Sequence, residues 1–146
     1  MERYFTLQQA QRLLPEVESA IRSAISLKAE HLEAEAEQRL AVQRVSMLGG
    51  VDIDRDAFAE LRSRRDTSLI RLKETIERIQ ETGCLVKDLD IGLIDFPTLF
   101  RGREVYLCWK LGEDGISFWH GVDEGFRGRK AIDQEFLDNH QGELPN

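Results

Sequence analysis

The feature that most constrains this chain is a change of hydrophobic period near Gly83. Before it, apolar residues recur at helical spacing: Leu14, Val17, Ile21, Ala24, Ile25 and Leu32, then Phe58, Leu61, Leu69, Leu72, Ile76 and Ile79. From Cys84 onward they tend to alternate, and turn signals stand at Arg101-Gly102 and Asp114-Gly115. Helices first and strands second predict an α+β fold, a long antiparallel helical hairpin packed against a small antiparallel β-meander. At 146 residues the chain has the length of a single domain over 1–146. The hairpin is expected over 6–82, a three-stranded sheet with a glycine-rich loop over 84–132, and a flexible tail over 141–146.

Thr6 and Gln9 fit a capping box, which starts the first helix near Leu7. Pro15 either kinks that helix or marks a fresh start within its first turn, because proline lacks an N–H and crowds the carbonyl four residues back. Gly49 and Gly50 end it. Asp54 is the expected N-cap of a second helix from about Arg55 to Thr82. At 1.5 Å per residue the helices measure about 60 Å and about 40 Å, so the segment Leu7 to Val17 projects past its partner and must cover something else, with the sheet the expected surface. Folding the hairpin about Val51 brings Arg64 and Arg65 to the acidic stretch Glu33 to Gln38. His31 and Glu35 share a helical i, i+4 spacing, yet the repeated Glu-x-x-His pattern of di-metal bundles is missing, so a solvated face is the reading. A two-helix hairpin leaves apolar faces that need a third layer, and a second copy could supply it as a homo-oligomer.

Strands are expected near Gly92 to Phe100, Arg103 to Leu111 and Ile116 to Val122. A two-residue turn at Arg101-Gly102 sets Phe100 opposite Arg103, and a tight second turn sets Leu111 or Glu113 opposite Ile116. Parity then places Ile94, Phe96, Val105, Leu107, Trp109, Phe118 and His120 on the core face. Asp95, Pro97, Leu99, Glu104, Tyr106, Cys108, Lys110, Ser117 and Trp119 fall on the other.

That outer face supplies the candidate ligand or partner surface: Asp95, Tyr106, Lys110 and Trp119, extended by Arg127 and Arg129 of the glycine loop. Large rings beside charges suit a contact surface, and a segment around Phe136 could cover them. Backbone between Gly121, Gly125 and Gly128 could aim N–H groups at a small anion, although no P-loop sequence is present. His120 with Asp123 and Glu124 is a candidate set for a divalent metal, with Asp88 and Asp90 ahead of the sheet. Cys108 beside Lys110 reads as inert packing. Catalytic residues cannot be assigned, and no cofactor is called for beyond that metal. The favoured function is a cytoplasmic binding module for a protein partner or small anionic ligand; the alternative is a metal-assisted hydrolase using His120 and nearby carboxylates.

Composition narrows the classes further. A net charge of −7 argues against general nucleic-acid binding, despite Arg101, Arg103, Arg127, Arg129 and Lys130. No apolar run reaches the roughly 18–20 residues of a membrane span. Two cysteines outside any CxxC pair and an N-terminus without signal-peptide character suggest the reducing cytoplasm.

The segments RYFTLQQAQRLLPEV, GCLVKDLDIGLIDFP and GREVYLCWKLGEDGISFWHGVDEGFRGRK resemble a bacterial family catalogued as domain of unknown function 2203. The resemblance covers nearly the whole chain, and the third segment is its most recognisable part. It implies a small cytoplasmic protein without an assigned activity, so no catalytic residue is carried over.

Overall fold

The computed structural model describes residues 3–49 and 54–142. Two long helices come first, α1 (Leu7–Met47) and α2 (Arg55–Glu81). Six strands follow, β1 (Leu85–Asp88), β2 (Leu93–Phe100), β3 (Arg103–Lys110), β4 (Phe118–Gly121), β5 (Lys130–Ala131) and β6 (His140–Gln141). A short helix, α3 (Gln134–Asn139), sits between the last two. The fold is α+β: a long helix pair and an antiparallel sheet. The chain forms two compact units, one running to Arg22 and resuming at Ile76, the other comprising Ser23–Thr75.

Ser23–Thr75 is the helical unit. Its seam follows alternating three- and four-residue steps, the spacing by which two helices mesh side chains: Ala24, Leu27, His31, Ala34, Gln38, Ala41 and Val45 against Phe58, Leu61, Arg65, Ser68, Leu72 and Thr75. The middle of that seam is polar. His31 Nδ1 donates to the Arg65 carbonyl at 2.9 Å, Arg65 donates to Gln38 Oε1 at 2.7 Å, and Arg64 pairs with Glu37 at 3.3 Å. The expected charge pairing between these stretches is present. Asp54 caps α2 through a 3.0 Å bond from the Ala57 N–H. The expected pivot at Val51 lies outside the described residues. Leu32, expected on the packed face, is 51% exposed.

The other unit is built on the sheet, ordered β1-β2-β3-β4-β5 with β6 added to β2. Both arms of the capping box form, Thr6 N–H to Gln9 Oε1 at 2.9 Å and Gln9 N–H to Thr6 Oγ1 at 3.1 Å. α1 then runs through the exposed Pro15 and buries Ala10, Leu14, Val17 and Ile21. Phe5 meets Phe96 edge to face with ring centres 5.4 Å apart, and Gln11 bonds both backbone groups of Ile116. The core is Phe5, Ile94, Phe96, Leu107 and Trp109, each fully shielded from solvent. Gly92, at φ +67°, is obligatory: a Cβ there would lie 2.5 Å from the Leu111 Cβ.

The sheet departs from a three-stranded meander because the outer edge of β2 is paired along its length by three separate segments. β1 pairs with Leu93 to Asp95, the Phe5 N–H donates to the Pro97 carbonyl at 2.7 Å, and β6 pairs with Leu99 and Phe100. Gln141 and Gly142 are therefore fixed parts of the fold, where a flexible tail was expected; 143–146 lie outside the described residues.

The turn between β2 and β3 is as expected. Phe100 faces Arg103, with Arg101 (φ 52°) and Gly102 (φ 79°) both left-handed, as two-residue hairpin turns require. The second connection differs. Residues 111–117 form a longer loop held by its own contacts: Glu113 accepts the Lys110 N–H at 2.6 Å, and its carbonyl accepts Trp109 Nε1 at 3.1 Å. Freed from a tight turn, β4 pairs Leu107 with Trp119 and Tyr106 with His120. This is one residue away from the expected parity, so β4 is turned over. Trp119 joins Leu107 and Trp109 on the core face, and His120 joins Asp95 and Cys108 on the outer face.

Candidate functional site

The turned-over strand creates a buried polar cluster on the outer face. Asp95 and Cys108 are direct cross-strand partners on β2 and β3, and His120 on β4 lies diagonal to Cys108. They are 1%, 0% and 4% exposed respectively, and one potential ligand atom from each lies within 4.8 Å of the others. His120 Nε2 stands 3.0 Å from Asp95 Oδ1, and its Nδ1 stands 2.8 Å from the Gly121 carbonyl. A carbonyl only accepts, so Nδ1 carries a hydrogen and Nε2 points at the carboxylate. Burial, followed by the charge of neighbouring Asp95, pushes the pKa of the Cys108 thiol up to about 12. It is an inert thiol in this state, as its place in a strand suggested.

The glycine loop forms one wall beside this cluster. Arg129 stacks on Phe118 at 4.1 Å and on Phe126 at 4.7 Å, and its Nη2 reaches both Glu113 oxygens at 2.7 and 2.8 Å. Its Nε is a buried side-chain donor without a partner. Lys110 approaches the Phe126 ring at 5.5 Å, and Lys87 approaches Tyr106 at 5.0 Å. Burial, with Glu104 and Asp95 nearby, raises the Tyr106 pKa.

The expected contact surface is thus divided. Tyr106 and Lys110 remain half-buried on the outer face, Asp95 is buried beneath it, and Arg129 is committed to Glu113. Arg127 is exposed on the loop. Trp119 is on the opposite face, so the surface that required Trp119 beside Tyr106 does not form. His120 is not gathered with Asp123 and Glu124 either. Both are exposed, and the Glu124 carboxylate takes Lys130 at 2.8 and 3.0 Å, which lowers its pKa. Asp88 bonds the Asp90 N–H at 3.0 Å.

Trp119 belongs instead to an open cleft of about 690 Å³ at the turn end of the sheet. Phe100, Val105 and Trp119 give it an apolar floor, with Arg101, Arg103 and Lys130 as cations and Glu104, Asp123 and Glu124 as acids. Arg101 pairs with Glu135, and Lys130 pairs with Glu124 while lying 4.6 Å over the Trp119 ring. Among the described residues, Arg103 has no carboxylate partner. Phe136 of α3 covers the indole from another side, with ring centres 5.0 Å apart. Cover around Phe136 was foreseeable from the sequence; the cleft was not, because it depends on the orientation of β4.

These features define an α+β protein with a buried carboxylate–thiol–imidazole cluster on one sheet face and an aromatic, cation-lined cleft on the other. The chain belongs to the family described as an uncharacterized conserved protein, DUF2203, whose profile matches residues 3–132. That span ends ahead of α3 and β6. No curated protein and no solved structure matches the chain. No described helix is long and apolar enough to cross a membrane.

Proposed function

We propose that the protein is a binding module that takes a small anionic ligand with an apolar body in the cleft beside Trp119. The observation that carries this reading is Arg103, a guanidinium without a carboxylate partner among the described residues, at the rim of an aromatic floor. A flat apolar group suits Trp119 and Phe100, and an acid group suits Arg103, which can hold it with two parallel N–H bonds. The cleft volume is in the range of small-molecule sites. Titration of amide and indole NMR signals with benzoate and with inorganic phosphate tests it. Benzoate at millimolar concentration is expected to shift Gly102, Gly121, Lys130 and the Trp119 indole, and Arg103→Gln to weaken that response about tenfold. Shifts scattered over the surface, or unaltered in Arg103→Gln, would remove the proposal.

The module associates with a second copy through α1. Ile25, Leu32, Ala36, Leu40 and Met47 form a stripe on the side of α1 away from the α2 seam, and Leu32, Leu40 and Met47 are 51%, 56% and 85% exposed. Its period matches that of helices that pack on one another. Sedimentation equilibrium should give a mass above 16.8 kDa that Leu40→Glu returns to the monomer value. A wild-type monomer at all concentrations would refute the association alone. Metal-assisted hydrolysis by His120 has less support, because the imidazole is only 4% exposed and lies out of a substrate's reach.

A further inference from the structure

We propose that Asp95, Cys108 and His120 form a zinc site, with the carboxylate oxygen, the thiolate sulfur and imidazole Nε2 as ligands. Three observations carry this independently of the cleft. The sheet register brings together three donors that are distant in sequence, one from each of three adjacent strands. Their potential ligand atoms all lie within 4.8 Å of one another. Zinc bonds of about 2.0–2.3 Å place neighbouring donors somewhat over 3 Å apart, so a shift of about 1 Å completes the set. Third, the Gly121 carbonyl fixes Nδ1 at 2.8 Å and leaves Nε2 facing the other two donors, the orientation that ligating histidines receive from their outer partners.

The donor chemistry selects the ion. Calcium and magnesium take oxygen ligands, whereas one sulfur, one nitrogen and one carboxylate oxygen suit zinc. Binding replaces two protons, that of the Cys108 thiol and the one shared between Nε2 and Asp95 Oδ1. Thiolate and carboxylate then balance the two charges of the ion, so the buried site is neutral. A water molecule completes four-coordination. With all three residues less than 5% exposed, the site holds strands together and offers no entry for a substrate.

The test uses the full chain purified without chelator. Elemental analysis should find about one zinc per chain, and loading apoprotein should release about two protons per ion in weak buffer. Cobalt(II) in place of zinc should show thiolate charge transfer and the intense visible bands of a four-coordinate ion. Cys108→Ala should abolish the charge transfer and lower zinc content at least about tenfold. Cys84→Ala and Glu124→Gln should leave both unchanged. If Cys108→Ala does not fold, the cobalt spectrum of wild type and of Cys84→Ala decides the matter. A spectrum of the hydrated ion in wild type, retention of zinc by folded Cys108→Ala, or loss of charge transfer in Cys84→Ala would overturn the site.

Discussion

Replacing Phe136 with alanine is expected to release the C-terminal segment from the sheet while the remaining core stays folded. Phe136 is 1% exposed and lies in a ring cluster, centred 5.0 Å from Phe100 at 14°, 5.0 Å from Trp119 and 5.3 Å from His140. Truncating a buried phenylalanine costs about 3–5 kcal/mol, part of it the ring pairs at about 0.5–1.5 kcal/mol each. The other ties of this segment are weaker. The Asp133 cap, 2.8 Å from the Phe136 N–H, contributes about 1 kcal/mol, and the exposed Arg101–Glu135 pair about 0–1 kcal/mol. Bonds such as Arg101 N–H to the Asn139 carbonyl add about 1 kcal/mol each. Fixing each backbone residue opposes them by about 1–2 kcal/mol, and α3 is far too short to persist alone. The ring is the deciding term. Hydrogen exchange at Arg101 N–H should accelerate by about 100-fold or more, while the Leu107 amide changes little. Trp119 emission should move to the red. If Arg101 and Leu107 accelerate together, or Trp119 emission stays fixed, the reasoning fails.

In chelator-treated protein, Cys108 and Cys84 should resist iodoacetamide at pH 8 in the folded chain and react once it is unfolded, because burial raises both thiols. For metal-free Cys108 the folded value of about 12 exceeds the ordinary 9.0, so its contribution is complete below 9 and is lost as pH rises toward 12; denaturant titrations of the chelator-treated protein across that window should show stability falling. With chelator present, Asp95→Asn should cost less than about 1.5 kcal/mol, since the amide can donate to Nε2. Asp95→Ala should cost about 3–5 kcal/mol by stranding buried His120, and equal losses in the two variants would contradict the assigned hydrogen bonds. Glu113→Ala removes the acceptor of both Arg129 and the Lys110 N–H. Faster amide exchange at Lys110 and over 126–130, with stability lowered by about 2–4 kcal/mol, is expected; unchanged exchange would mean that other contacts hold the loop.

Local chemistry was legible wherever a few neighbouring residues decide the conformation. Thr6 with Gln9, Asp54 ahead of α2, and Arg101-Gly102 each formed the structure their side chains or permitted dihedrals dictate. β1, β5, β6 and α3 were not legible, since two to six residues carry too little periodicity to distinguish them from loop. They gain their order from neighbours: β6 by filling the edge of β2, and α3 by placing Phe136 on Phe100 and Trp119. The register of β4 was hidden for another reason. Both faces of this strand offer apolar surface, Phe118 on one side and Trp119 on the other, so hydrophobic pattern alone does not choose. Residues 111–117 choose, through the bonds of Glu113 and Gln11.

That choice explains the concentration of distinctive residues between Val105 and Arg129. The expected outer face held Asp95 and Cys108 correctly; turning β4 by one residue brings His120 to them and removes Trp119. A polar cluster this deeply buried is costly unless its members satisfy one another or hold an ion. The loop supports it from several sides at once. Gly121 gives its carbonyl to His120, and Glu113 anchors Arg129, which stacks on Phe118, the cross-strand partner of Cys108. Even Gly128 is confined, since a Cβ there would lie 2.6 Å from a Glu124 oxygen. Gly121 and Gly128 thus both lie against the Glu124 side chain, whereas a Cβ on Gly125 would meet nothing within 4 Å, so close packing accounts for two of the three glycines of this loop.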